Sequence, residues 1–362
     1  MEGNGGAEVA VTVVKSEELW LQDGNIIVRT TSSSTAPPTQ TLYKVHKHVL
    51  ALHCSVFSSL FDGPQGAFDA GSEHEGDLPI MDLPDSADDV RDFLKALYFP
   101  GETNRHQTLQ SPFRESDGHW ALFPESYGGI LRLATKYDAS VIRKLIVEAL
   151  EREWPTNIDD WKRLQERMDE KMLLFDWTLL PNLDSTPFWP DPVRAIRLAS
   201  DYDVPNVLPI AYYDLMRVLN ADYDSHSHEP TRDRAAAALT ADELRRVIHG
   251  RTMLQTEFRS KLSVTPGRSE HCESGDACAI GVRSWMAARV MEMRDLEYDP
   301  LRWLEAVLAK WRDAGVSTPE IDACRSCRAV MQNYWGRAPY DLWGALPEYF
   351  GVDGIVRSDW GE

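Results

Sequence analysis

Four cysteines carry the clearest chemical potential in this chain. Cys272 and Cys278 enclose five residues, Cys324 and Cys327 enclose two, and roughly 45 residues separate the pairs. Two close pairs of thiolates are the donor set of a tetrahedral structural zinc site. A Cys-x2-Cys step lets one backbone turn present both sulfurs to one ion; the five-residue gap is looser than usual. His271, beside Cys272, is a nitrogen donor able to replace one sulfur. Two other states are open to the same residues: four reduced thiols, or a disulfide. A redox-active Cys324–Cys327 pair is disfavoured, because it does not follow a strand–helix–strand pattern. Zinc-bound sulfurs, each about 2.3 Å from the ion, must lie roughly 3.5–4 Å from one another, and pairs more than about 8 Å apart would exclude a shared ion. The fifth cysteine, Cys54, reads as a small buried hydrophobe.

Other chemistry is sparse. Asp224-Ser-His226-Ser-His228-Glu229 holds metal-binding side chains, but reads better as a solvated loop tip. The chain contains neither the Gly-x-Ser-x-Gly elbow of a hydrolase nor a phosphate loop ending Gly-Lys-Ser/Thr. No catalytic residue is assigned, and the chain is read as no enzyme. A formal charge of −19, from 57 acids against 38 bases, opposes binding to nucleic acid or to an anionic membrane surface. No apolar run reaches the roughly 18–20 residues of a membrane helix. The opening residues lack the pattern of a signal peptide, and five cysteines do not make a disulfide framework. An intracellular protein, of cytoplasm or nucleus, is the expectation.

The cysteine pairs must be held by the elements around them, and periodicity places those. In the C-terminal half, Thr240-Ala-Asp-Glu243 is a capping box, followed by Leu244, Val247 and Ile248 on one expected face. Leu301, Leu304, Val307, Leu308 and Trp311 form the strongest helical stripe there, and Trp161, Leu164, Met168 and Met172 mark another helix. Leu131–Leu150 can be laid over Ile196–Leu215 at a constant offset of 65, aligning Leu133/Leu198, Tyr137/Tyr202 and Asp138/Asp203. Either any two amphipathic hairpins look alike, or a second hairpin of the same make follows the first.

The N-terminal half reads as strand, helix, helix, strand, helix. Tyr43–Phe61 (YKVHKHVLALHCSVFSSLF) gives a strand and two short helices, with Phe57, Leu60 and Phe61 on one stripe. Leu78–Leu83 is extended. Val90, Phe93, Leu94, Leu97 and Tyr98 stripe a longer helix. Trp20–Val28 is a turn into a strand, with Asp23-Gly24 at the turn.

With the His46-Lys47 pair, Val49-Leu50-Ala51, Ser55 before Phe57, and Phe93–Gly101 (FLKALYFPG), this half resembles a BTB/POZ domain. The whole chain, over roughly residues 17–357, is similar to fungal BTB-domain proteins of the mushroom-forming group. The matching features are Trp20-Leu-Gln-Asp-Gly-Asn-Ile26, Arg197–Asp203 with Leu208-Pro209, the Cys324/Cys327 pair, Trp343, and the tail Leu346–Gly351. Asn25-Ile26 stands where many members carry Asp-Val, the nearest acid being Asp23. The resemblance implies an α+β fold: a BTB/POZ core of small sheet and helices at 17–154, then a mostly α-helical region at 155–362 with its second hairpin at about 191–220. Residues 1–16 are expected to be disordered and about 101–123 to be a surface insertion. It implies a core containing His46, Phe57, Leu60, Phe93, Leu94 and Leu97. Function follows as non-catalytic protein–protein interaction: a homodimer formed near Trp20, Asp23, Ile26 and Val28, and a helical surface offered to an unknown protein partner. Some relatives instead serve as adaptors of cullin-type ubiquitin ligases, a role for which no cullin-contact signature is found after Tyr98.

Overall fold

The computed structural model describes residues 11–32, 37–63, 72–98, 125–174, 191–221, 239–264, 267–291, 299–313, 322–358 and 360–361. The protein is α+β: a small mixed five-stranded sheet and many helices, helix predominating. Two compact units divide it, Met1–Glu153 and Trp154–Glu362. No helix among the described residues is long and apolar enough to cross a membrane.

In the first unit the sheet comprises β1 (Thr12–Trp20), β2 (Ile26–Ser32), β3 (Thr39–Val45), β4 (His74–Glu75) and β5 (Leu78–Leu83), in spatial order β1-β3-β2-β5-β4. β2 runs antiparallel to β3 and parallel to β5, and β1 lies parallel to β3 at the edge. Ile27, Leu42 and Ile80 cluster on one face with Trp20 and Leu78 against them. Strand alternation sends Ile26, Val28, Tyr43 and Val45 to the other face, and all four are buried. The Tyr43 hydroxyl donates to the Ala87 carbonyl at 2.6 Å, tying this face to α3 (Ala87–Tyr98).

Strand β1 corrects the expectation of disorder over 1–16: Thr12–Trp20 is a strand. Its residues bury almost nothing except Leu19, so it shows no apolar alternation to read. Residues 1–10 and the expected insertion at 101–123 lie outside the described residues.

Helices α1 (Lys47–His53) and α2 (Ser55–Phe61) follow β3. The Asn25 side chain accepts the Lys47 N–H at 2.8 Å, satisfying one free donor at the start of α1. His46 lies between Tyr98, whose hydroxyl is 3.0 Å from Nδ1, and Asp23, 3.2 Å from Nε2. Phe57, Phe93, Leu94 and Leu97 are buried, and the Phe57 ring stacks on Tyr137 with centroids 4.6 Å apart. Leu60, expected in this core, is instead 42% exposed. α2 has barely two turns and buries its Cys54–Phe57 side, which leaves Leu60 turned toward water. Ile26 and Val28, expected at a dimer interface, are fully buried in their own sheet and have no surface to offer. Trp20 is half-buried and Asp23 exposed.

The unit closes with a helix hairpin, α4 (Glu125–Lys136) and α5 (Ser140–Glu153). Its turn puts Asp138 at φ +53°. Asp138 accepts twice from the start of α2, its carbonyl from the Ser55 N–H and its carboxylate from the Ser55 hydroxyl. Beneath the hairpin the buried Asp85 carboxylate receives Tyr137 Oη at 2.6 Å, Lys136 Nζ at 2.7 Å and Arg132 at 3.0 Å.

The second unit contains α6 (Ile158–Leu174), α7 (Pro192–Asp201), a 3-10 turn at Pro205–Val207, α8 (Leu208–Ala221), α9 (Ala241–Ser263), α10 (Asp276–Met291), α11 (Pro300–Asp313), α12 (Arg325–Gly344) and α13 (Leu346–Tyr349). The α7–α8 hairpin repeats α4–α5 in detail. Asp203 has φ +55°, and Tyr202 N–H to Leu198 O and Val204 N–H to Ala199 O reproduce Tyr137 to Leu133 and Ala139 to Ala134. Asp tolerates this left-handed conformation better than most residues with a Cβ.

The capping box at Thr240 and Glu243 is formed. The face of α9 is not the expected one: Val247 is buried, but Leu244 is 37% and Ile248 65% exposed. The helix instead buries Glu243, Val247, Gly250, Leu254 and Phe258, a row with a glycine and an acid in apolar positions. Trp161, Leu164 and Met168 are buried on α6, and Leu301, Leu304 and Val307 on α11. The Met172 and Trp311 side chains lie outside the described set.

Two measurements probe the first unit. Leu94→Ala is expected to lower unfolding free energy by about 2–5 kcal/mol, while Val141→Ala, at a position 61% exposed on the closing hairpin, changes it by less than about 0.5 kcal/mol, read by urea denaturation. Burial pushes the Asp85 carboxyl up, but Lys136 and Tyr137, and the positive charges of Lys136 and Arg132, more than offset this and hold it below the ordinary 3.8. A lowered folded-state pKa stabilises at pH above the unfolded value, and that stabilisation fades as pH falls below 3.8 toward the folded value. Asp85→Asn should therefore flatten the loss of stability below about pH 4, measured by acid titration of the urea midpoint.

Candidate metal centre

The two cysteine pairs meet in the second unit. All four sulfurs, of Cys272, Cys278, Cys324 and Cys327, lie within 4.8 Å of one another. That is under the roughly 8 Å limit, and side chains so close need little movement to reach the roughly 3.5–4 Å edge of a zinc-thiolate tetrahedron.

Local chain chemistry builds each half. Before α10 the backbone turns tightly. Cys272 N–H donates to Ser269 O at 3.0 Å, and Gly275 takes φ +55°, a left-handed step natural to glycine. Arg268 pairs with Asp276 across the loop at 3.0 Å, an exposed contact of small worth. Cys278 then stands in the first turn of α10. Cys324 is the N-cap of α12 and Cys327 lies one turn in, so the i, i+3 spacing brings both sulfurs to one side.

Gly281 lets the halves approach. One turn after Cys278, it faces the Asp322 backbone so closely that an added Cβ would fall 1.9 Å from the Asp322 carbonyl oxygen. This contact carries the chain into position for Cys324 N–H to donate to Cys278 Sγ at 3.1 Å. Sequence reading missed Gly281, because a lone glycine inside a helical run carries no signal of what packs on it.

The electrostatics favour anionic sulfur at one position. Backbone amides of Cys327 and Glu273 face Cys324 and hold its thiol down to about 6. The helix start adds to this, since its free amides favour a negative charge. Burial, with its neighbouring sulfurs, pushes Cys327 up to about 12. Cys278 and Cys327 are buried, whereas Cys272 and Cys324 are half-exposed. Cys54, outside the cluster in the first unit, is buried and pushed up to about 12 by desolvation.

His271 is exposed and is not among the converging donors. The run from Asp224 to Glu229 lies outside the described residues. Among those residues, the four cysteines are the group found with metal-binding geometry. An all-sulfur set with amides turned toward the sulfurs fits a soft or borderline cation such as zinc, and four ligands fill a tetrahedron and leave no position for a substrate.

Compared with known proteins, the chain matches no family model, no curated protein and no solved structure.

Gly281→Ala is expected to destabilise the second unit by about 1–3 kcal/mol through overpacking. Gly336→Ala, in α12 with nothing within 4 Å of the added carbon, is expected to stabilise by about 0.5–1 kcal/mol through helix propensity. Thermal melts of the two variants should move in opposite directions.

Proposed function

We propose that this protein is a non-catalytic interaction protein. The first unit serves as a BTB/POZ-type module that self-associates, and the second as a helical body pinned by one structural zinc ion that offers a surface to a protein partner. The first part is supported by the order β3–α1–α2–β4–β5–α3 and, above all, by apolar side chains left in water on α1 and α2. Leu52 is 67%, Val56 43% and Leu60 42% exposed. Val56 and Leu60 are four residues apart and share one side of α2. Leaving such groups in water costs about 25 cal/mol per Å2 of apolar area, which a second copy would recover.

The zinc part rests on the convergence of the four sulfurs. Cys272, Cys278, Cys324 and Cys327 would hold the ion, and its work would be structural, joining the loop before α10 to the start of α12. Binding energy at such a site adds directly to folding energy.

Sedimentation velocity at micromolar concentration should give a dimer, and the double variant Val56→Asp, Leu60→Asp a folded monomer. Exposed positions make poor folding determinants, so circular dichroism of the variant should match the parent. A parent that sediments as a monomer, or a variant that remains dimeric, defeats the self-association reading. Elemental analysis of the full chain should give one zinc per chain and no iron, with a chelator lowering the thermal midpoint.

A further inference from the structure

We propose that the sulfur cluster is a peroxide-responsive switch, in which oxidation of Cys324 and Cys327 expels the metal and frees the loop before α10. The proposal rests on the zinc reading and adds to it a regulation of the same site. Three observations carry it. The sulfurs are unequally sheltered: Cys278 and Cys327 are buried, but Cys272 and Cys324 are half-exposed. A small oxidant can therefore reach the cluster without unfolding the unit. The second observation is proximity. Cys324 and Cys327 sit at the cap and first turn of one helix with sulfurs no more than 4.8 Å apart. Closing that gap to a bond of about 2.05 Å needs side-chain rotation and no shift between segments. Thirdly, the loop that includes Cys272 is held within itself mainly by its turn and the exposed Arg268–Asp276 pair. Such pairs contribute little, so the loop depends on the sulfur cluster for its anchorage.

The chemistry balances with one hydrogen peroxide. The Cys324 thiolate attacks one peroxide oxygen; an S–O bond forms, the O–O bond breaks, and the departing hydroxide takes a proton to become water. Cys324 is then a sulfenic acid. The Cys327 thiolate attacks that sulfur, an S–S bond forms, and the second hydroxide leaves and is protonated to water. Two sulfurs are oxidised by one electron each and the peroxide is reduced by two. Neither oxidised sulfur keeps the charge of a ligand. Cys272 and Cys278 remain as two donors, too few for a closed tetrahedral site. A thiol reductant reverses the step, and zinc can rebind.

The full chain, its zinc content first measured, is treated with about a tenfold molar excess of hydrogen peroxide while a chromogenic chelator reports free zinc. Three results are expected together. Zinc is released; peptide mapping finds a Cys324–Cys327 disulfide; and amide exchange rises across residues 267–275. Reductant plus zinc restores the starting state. Cys54→Ser, which removes the one cysteine outside the cluster, should release zinc identically. Zinc that stays bound with four reduced sulfurs overturns the proposal. So does release in which Cys324 and Cys327 remain free or are joined to other partners. A starting protein without zinc would instead sink the zinc reading, seen before any peroxide is added, and this proposal with it.

Discussion

Anions repel, and sulfur in a confined space must answer for its charge. Four thiols within 4.8 Å cannot all ionise without a cation among them, because each new thiolate raises the cost of the next. The chain nevertheless turns backbone amides toward Cys324 and lets a helix begin there, both of which favour negative sulfur. A single thiolate at Cys324, with the buried Cys327 thiol pushed up to about 12, satisfies both tendencies. The geometry around α10 and α12 sets up this charge arrangement: the left-handed Gly275, the bare Gly281, and the Asp322 backbone lying against it all bring sulfur toward sulfur.

The first unit meets a comparable difficulty with its own charges and meets it without an ion. Asp85 is withdrawn from water, yet a lysine and an arginine reach it from α4, and a tyrosine hydroxyl from the turn that follows. Those partners occupy its oxygens and fasten α4 onto the segment before α3. Next along the chain, the Asp138 turn fastens the hairpin to α2 by capping it. A short helix of seven residues has little stability of its own, so such a cap matters more to α2 than to a long helix.

How far these features can be read from sequence depends on what each leaves in the pattern. The sulfur pairs were legible because cysteine spacing is written directly in the chain, and the capping box because its two residues are local. The buried rows of α3 and α11 were legible because apolar residues repeat with helical period. Edge strand β1 was not, since a strand that buries only Leu19 has no apolar alternation to display. The face of α9 was misread because its core row contains Glu243 and Gly250, whereas apolar Leu244 and Ile248 point to water. Leu60 was misplaced for a related reason: in so short a helix the stripe from Phe57 does not carry on inward, and Phe57 is buried while Leu60 is 42% exposed and Phe61 half-buried. The left-handed turns had a signal that periodicity overlooks, the Tyr-Asp pair closing each first helix of the duplicated hairpins.

The order in which the chain leaves the ribosome gives the sulfur cluster a further consequence. Cys278 and Cys324, in direct contact, are separated by 46 positions, so the first pair emerges well before its partner. During that interval Cys272 and Cys278 are exposed nascent thiols, open to mispairing or to capture by an unintended ion. Domains tend to complete as units once their last contacts are available. The second unit can therefore lock only after Cys324 and Cys327 have emerged, whereas the described strands and helices of the first are complete by Glu153. The time needed to make the 46 positions between Cys278 and Cys324 sets how long the first pair waits for its partners.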